Sequence, residues 1–424
     1  MGQEGVYYYH DLIEQMIRWG YQEGITLFGF GYDFRQSNRL QETLDRFLKK
    51  LESVYTLSGG KKITLISHSM GGLLVKCFMC LHSDIFEKYV KSWITIATPF
   101  QGAPGYITAA LLNGCSFVEG WEQNFFISKW SMQQLLIECP SIYELMASPI
   151  FSWENNPLLQ IWRGKHDDSS KLSTLLESYN LTEMLPLMKE ALSSNMVEVD
   201  GKKIHLPLNL EILKWANKTR EILSRAMVPA TVKFYNIYGT HNDTPHSVCY
   251  GTERTPIADL KQLLSAQPKY LYVNGDGTVP VESAKADGLE AVARVGVAAN
   301  HRGIICDHHV FRILKHWLKA GEPDPFYNPL NDYVILPTAS EVEKHWEKGM
   351  QVTTLKEEWD VLSPDTDAND DDSTDNLAMV GTVSVASVGK EQPLVSAQAT
   401  ILVHQHIEGM KHVEVRASRI TMGT

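Results

Sequence analysis

Ser67-His68-Ser69-Met70-Gly71 is the stretch with the clearest chemical signature. It lies between an apolar strand-like segment, Ile63-Thr64-Leu65-Ile66, and a helix that opens on Gly71-Gly72. A serine hydroxyl becomes a useful nucleophile when a sharp strand-to-helix turn projects it above a sheet, with the next backbone N–H facing the oxyanion that forms. The turn is tight, so small residues belong two before and two after the serine. Ser67 stands where the usual G-x-S-x-G pattern has its first glycine, a departure from that pattern. A helix N-cap serine would also fit these five residues taken alone. The strand before and the glycine pair after favour Ser69 as a nucleophile.

A nucleophilic serine needs a base, and the base needs an orienting carboxylate. On a strand-elbow-helix scaffold the order along the chain is serine, then an acid after a later strand, then histidine. The run Tyr270-Leu271-Tyr272-Val273-Asn274-Gly275-Asp276-Gly277-Thr278-Val279-Pro280 offers Asp276 at the end of an apolar segment. Alone, this would be read as an ordinary Asp-Gly turn. Asn300-His301-Arg302-Gly303 follows a strand and precedes the last helix of the core, where the base belongs. His308 and His309 fall in the first turn of that helix, which Asp307 would cap, and His316 falls in its last turn, so each has a structural explanation. His68 adjoins the nucleophile but on the wrong side of the turn. His404, Gln405, His406 and His412 lack a Cys, Asp or Glu at zinc-ligand spacing. The serine chemistry requires no metal and no organic cofactor.

These residues need a rigid support, and the first hundred positions describe one. Residues 10–19 are apolar on one helical face, Ile25 to Phe30 reads as a strand, and Leu40 to Val54 repeats at helical spacing before Gly59-Gly60. Then come the strand 63–66, a helix from Gly71 to Leu81 and a strand from Trp93 to Ala97. That alternation predicts a parallel sheet covered by helices on both faces. Residues 100–230 break the rhythm with amphipathic helices and an aromatic stretch, Trp121, Phe125, Phe126 and Trp130, and read as a helical cap inserted in the core. The core resumes over 231–364 with strands at 232–238 and 291–297 and a helix ending near Gly321. An acidic linker at 365–380 follows, and a β-hairpin tail at 381–424 closes the sequence.

Composition narrows the function classes. The 424 residues, 44% of them hydrophobic, suffice for a large core, and the formal charge of -11 argues against a nucleic-acid binder. No uncharged apolar run reaches the ~18 residues of a membrane-spanning helix. Cys77 and Cys80 form a CxxC without a second pair and lie on a predicted helix, where cysteine acts as a small apolar residue. The start, MGQEGVYYYH, has neither the basic start nor the apolar stretch of a signal peptide. A cytoplasmic location is expected.

Ser67 to Gly71, Tyr32-Asp33-Phe34-Arg35, Thr98 to Pro104, Gly275 to Pro280 and His301 together resemble the lecithin:cholesterol acyltransferase family, most closely its plant cytosolic phospholipase-A1-like branch, over about residues 6–335. The resemblance implies the α/β-hydrolase fold and an acyl-enzyme formed from a phospholipid, whose acyl group passes to water or to a lipid alcohol. It implies Ser69 as nucleophile, Asp276 as orienting acid, His301 as base and Met70 as donor of one oxyanion N–H. The expected substrate is a phospholipid met by transient contact with a membrane surface. Asp33 and Arg35 are expected to be structural. No strand and loop upstream of residue 25 supply the fold's second oxyanion donor, so the sequence reads as lacking an N-terminal part. The alternative is a catalytically impaired lipid- or partner-binding protein on the same scaffold.

Overall fold

Apolar residues at helical and strand spacing account for the elements around the site. In the computed structural model, helix α1 (His10–Arg18) buries Leu12 and Met16, while α2 (Gln41–Leu57) buries Leu44, Phe47, Leu51 and Val54, a stripe three or four residues apart. Strand β1 (Ile63–His68), α3 (Gly71–Leu81), α4 (Ser83–Tyr89), β2 (Val90–Ile96) and α5 (Pro104–Asn113) follow. Next come β3 (Leu159–His166), β4 (Leu172–Tyr179), β5 (Met196–Val199) and β6 (Lys202–His205). The helix Leu210–Ser224 leads into β7 (Lys233–Gly239), β8 (Asn242–Tyr250), β9 (Lys269–Gly275), β10 (Ala293–Val297), the helix His308–Leu318 and β11 (Tyr333–Ile335). The residues described are 8–114, 128–166, 172–322, 327, 329 and 333–335, together with four strands nearer the C-terminus.

The central sheet runs β1-β2-β7-β10-β11 with every pairing parallel. Parallel strands are buried on both faces. Trp93, Ile94, Ile96, Ile237, Val295 and Val297 accordingly expose 1% or less. One face packs under α2, α3 and α4, and the other under α1 and the helix His308–Leu318. This is the parallel α/β architecture expected from the residue pattern, and it agrees with the α/β-hydrolase fold that the resemblance implies.

Several expectations are corrected. Ile25 to Phe30 is not a strand: Gly24 sits at φ +73°, Thr26 and Leu27 both donate their N–H to the Gln22 carbonyl, and Ile25 is 59% exposed. A local turn thus outcompetes ladder pairing. Among the described residues β1 pairs only with β2 and forms the sheet edge. The expected helical cap, 100–230, also holds β3 to β6. Strands β3 and β4 join β8 and β9 in a second sheet of order β4-β3-β8-β9, so the strand that leads to Asp276 lies outside the central sheet. Trp121, Phe125 and Phe126 lie outside the described residues, and Trp130 is 42% exposed on the helix Lys129–Leu136. The helix His308–Leu318 ends on Lys319 in the left-handed region, before Gly321.

Contacts divide the chain into two units, Met1–Ile335 and Leu336–Thr424. The second is a four-stranded antiparallel sheet of β12 (Thr354–Leu362), β13 (Leu377–Ala386), β14 (Val395–Gln405) and β15 (Lys411–Met422), joined in that order. The expected hairpin is β14–β15. Residues 354–362, expected in the core, and 377–380, expected in the acidic linker 365–380, belong to this sheet instead, and 365–376 of that linker lie outside the described residues.

The tightest steric demand near Ser69 falls on Gly72. A Cβ there would sit 2.1 Å from Thr98 Oγ1, and Thr98 is fully buried. Gly72→Ala is expected to lose ~1–3 kcal/mol of stability through overpacking, measured by urea unfolding; an unchanged midpoint would show that α3 can shift freely.

Candidate active site

β1 delivers the chain to Ser69 with its backbone already paired. Ser67 and His68 are in register with Thr95 and Ile96 of β2, and Ser69 N–H donates to the Ile96 carbonyl at 2.8 Å. Ser69 itself lies at φ 53°, in the left-handed region. Such a conformation costs an L-residue about 1–3 kcal/mol and persists where its neighbours enforce it. Gly72 N–H donates to the Ser69 carbonyl at 3.0 Å, starting α3 at once. Met70, the next residue, is helical at φ -58°, ψ -22° and only 8% exposed. The serine at position 67 has its own explanation. Its hydroxyl accepts a bond from Trp93 Nε1 at 2.9 Å, and its Cβ would stand 3.9 Å from a Cβ at Gly71, an ordinary contact.

The structure brings Ser69, His301 and Asp276 into one hydrogen-bonded line. His301 Nε2 is 2.8 Å from Ser69 Oγ, and His301 Nδ1 is 2.7 Å from Asp276 Oδ2. The ionised carboxylate only accepts, so Nδ1 carries the ring proton and Nε2 is left to accept from the serine hydroxyl. Asp276 is 1% exposed, and its other oxygen, Oδ1, accepts from the N–H groups of Thr278 and Val279 at 2.9 and 2.6 Å. Those bonds explain the Gly-Asp-Gly-Thr-Val run: Gly277, at φ +86°, turns the chain back so that the following amides face the carboxylate. His301 N–H also donates to the Asp276 carbonyl at 2.8 Å. Asn300 Oδ1 shapes the loop by accepting from Arg302 N–H and Gly303 N–H at 3.2 and 2.7 Å.

Segment 98–104 braces the acid's side of the site. Gln101 N–H donates to Ser283 Oγ at 3.0 Å, and the Ser283 hydroxyl donates to the Gly102 carbonyl at 2.6 Å. Lys76 of α3, its pKa lowered by burial to about 8, donates to the Asp287 carbonyl at 2.7 Å. Asp33 and Arg35 pair with each other at 2.8 Å on the surface. Their neighbours Ser37 and Asn38 donate to buried Glu144, which also accepts from Thr219 and so joins this segment to the helix Leu210–Ser224.

His68 and Tyr8 also belong to the site, a feature that the sequence reading missed. His68 Nε2 lies 2.8 Å from the His301 carbonyl, and its Nδ1 lies 2.8 Å from the Tyr8 hydroxyl. Burial, with His301 beside it, lowers the His68 pKa to about 3. Placing His68 on the wrong side of the turn was right for its reach to Ser69 but overlooked its reach to the loop of His301. Asp307 caps the last core helix by accepting from His309 and Val310 N–H, as the sequence suggests for the competing histidines. Among the described residues no cluster of His, Cys, Asp or Glu is arranged to hold a metal ion.

The profile of the family described as "Lecithin:cholesterol acyltransferase" matches residues 2–289. The chain belongs to this family. It is 59% identical over 425 residues to "Lecithin-cholesterol acyltransferase-like 4" of Arabidopsis thaliana, covering 100% of this chain and 78% of that protein. It is 54% identical over 313 residues to "Phospholipase A(1) LCAT3" of the same plant, covering 74% and 70% of the two chains. A more distant relative, at 24% identity over 65% of this chain and 57% of its own, is the "Lysosomal phospholipase A and acyltransferase" of Bos taurus. The chain is thus an enzyme of the family's lipid acyl hydrolase and acyltransferase class. The profile match stops short of His301, whose position is given by the geometry above.

Two outcomes follow from this geometry. Asp276→Asn removes the acceptor that fixes the His301 tautomer, and is expected to lower kcat by on the order of 10⁴, the size seen for the same change in serine-protease triads. Because His68 stays neutral when folded down to about 3 but takes a proton near 6.5 when unfolded, the unfolded state holds more protons between these values. Stability therefore falls as pH drops through that window, by up to ~1.4 kcal/mol per pH unit. His68→Gln should flatten the slope in urea melts run from pH 7 to pH 4; an identical slope would contradict the assignment.

Proposed function

We propose that the protein is a serine-dependent phospholipid acyl hydrolase, of phospholipase A1 type, that works through an acyl-enzyme. Ser69 Oγ bonds to the ester carbonyl carbon while His301 Nε2 takes the serine proton. Asp276 holds the imidazole and favours the imidazolium that results. The tetrahedral intermediate then breaks its bond to the glycerol oxygen, which leaves with the proton from His301. Water, activated by the same imidazole, attacks the acyl-serine and releases the fatty acid; a lipid alcohol in place of water gives acyl transfer. The Met70 N–H, at the first turn of α3, donates to the oxyanion. The observation that carries this reading is the pair of 2.8 and 2.7 Å bonds that joins Ser69 to His301, 232 positions away, and His301 to Asp276. The likeness to a plant protein named phospholipase A(1) supports the substrate and the preference for water.

A cytoplasmic enzyme that touches the membrane transiently fits a chain in which no described helix is long and apolar enough to cross a bilayer. One observation favours the impaired-scaffold reading: among the described residues β1 has no strand on its outer side, where a second oxyanion donor would be anchored. Losing one such donor typically slows turnover ~10²–10³-fold without abolishing it.

Labelling by a fluorophosphonate probe and release of fatty acid from phosphatidylcholine vesicles are expected together in the wild type, and both are expected to vanish in Ser69→Ala. Labelling with no ester turnover would support the impaired scaffold. Turnover that survives Ser69→Ala would reject the serine mechanism.

A further inference from the structure

We propose that His68, braced by Tyr8, is a positioning residue that fixes the main chain of His301 against the nucleophile elbow. The inference rests on the triad reading above and extends it to a residue that touches none of the reacting atoms.

His301 lies in the loop between β10 and the short 3₁₀ turn Gly303–Cys306, where no strand ladder holds it. Its backbone is instead bonded on both sides. The N–H donates to the Asp276 carbonyl at 2.8 Å, and the carbonyl accepts from His68 Nε2 at 2.8 Å. The first bond ties the base to the acid, and the second ties it to the residue next to the nucleophile. His68 is the last residue of β1, in register with Ile96, so its main chain moves with the strand that presents Ser69. The distance between the backbones of base and nucleophile is therefore set by this bond as well as by the Ser69–His301 bond. Displacing a reacting group by about 1 Å can cost ~10²-fold in rate.

The hydrogen-bond roles leave one arrangement of protons. A carbonyl only accepts, so His68 Nε2 carries the ring hydrogen and Nδ1 presents a lone pair. The Tyr8 hydroxyl then donates to Nδ1 at 2.8 Å. Burial raises the Tyr8 pKa, which keeps that hydroxyl protonated, and His68 is held neutral as noted above. The rings of His68 and His301 lie with centroids 5.0 Å apart, and the Tyr8 ring meets His68 edge-on at 5.4 Å. A buried histidine with a purely structural task needs some carbonyl; this one is bonded to the carbonyl of the base itself.

The test uses the full chain in three variants: His68→Met, which has nearly the reach of Gln but no donor, His68→Gln, which keeps an N–H donor and an acceptor, and Tyr8→Phe. Each is assayed for hydrolysis of dioleoyl phosphatidylcholine vesicles and for its rate of fluorophosphonate labelling per folded molecule. His68→Met is expected to lose ~10²-fold in kcat and in labelling rate with KM changed less than about threefold. His68→Gln should recover at least a tenfold share of that loss, and Tyr8→Phe should fall between the two. Folded His68→Met at wild-type kcat, or Met and Gln variants equally impaired in kcat and KM, would overturn the inference. If His68→Met does not fold, Tyr8→Phe at wild-type kcat and labelling rate decides against the inference, and a loss of both in Tyr8→Phe larger than in His68→Gln decides for it. Ser69→Ala, run alongside, keeps the two readings apart: activity surviving there rejects the triad, whereas an inactive Ser69→Ala beside unimpaired His68 variants rejects only the positioning role.

Discussion

A left-handed residue at the end of a parallel strand is the constraint on which the site depends. Ser69 at φ 53° can be held only if the chain before it is fixed in the sheet and the chain after it is fixed in a helix. The bond from Ser69 N–H to Ile96 performs the first task and the bond from Gly72 N–H to the Ser69 carbonyl the second. Burial of Trp93, Ile94 and Ile96 on β2 makes the sheet side stiff, and contact between Gly72 and Thr98 sets how closely α3 can approach it. The strain at one residue is thus offset by packing spread over two strands and a helix.

From that fixed point the rest of the site is assembled by loops. Asp276 and His301 sit on connections beyond β9 and β10, and neither is placed by a ladder. Hydrogen bonds from Thr278 and Val279 orient the carboxylate, and bonds to both sides of the His301 backbone orient the imidazole. The architecture thus combines a rigidly held Ser69 with the loops of Asp276 and His301, tied to it by polar contacts that are buried or part-buried. Buried polar contacts of this kind are strong when complete and costly when one partner is lost.

The sequence made some of this legible and hid the remainder for physical reasons. The elbow could be read because strand, serine and glycine pair occupy one continuous stretch, and α3 begins at Gly71 as the spacing predicts. Asp276 and His301 stand out as candidates because the order of acid and base along such a scaffold is fixed, which sets aside the seven of fifteen histidines that precede Asp276. The strand expected at Ile25 to Phe30 failed because apolar content says nothing of the turn at Gln22, which takes up the amides of Thr26 and Leu27. The cap reads as helical because neither Leu159–His166 nor Leu172–Tyr179 alternates apolar and polar residues cleanly, and β9 owes its partner to β8, twenty residues away, a pairing that local periodicity does not reveal. His68 was passed over because its partner, the His301 carbonyl, is 233 positions distant and a backbone atom leaves no mark in a sequence.

The claim at the centre of this account is that a fatty acyl group becomes bonded to Ser69 during turnover. Acid-quenching the enzyme while it consumes a phospholipid of defined acyl chain, followed by peptide mass mapping, tests it directly. The account predicts that the mass of that acyl group, less one water from the free acid, appears on the peptide carrying Ser69. An acyl adduct on another residue, with Ser69 unmodified, would contradict it.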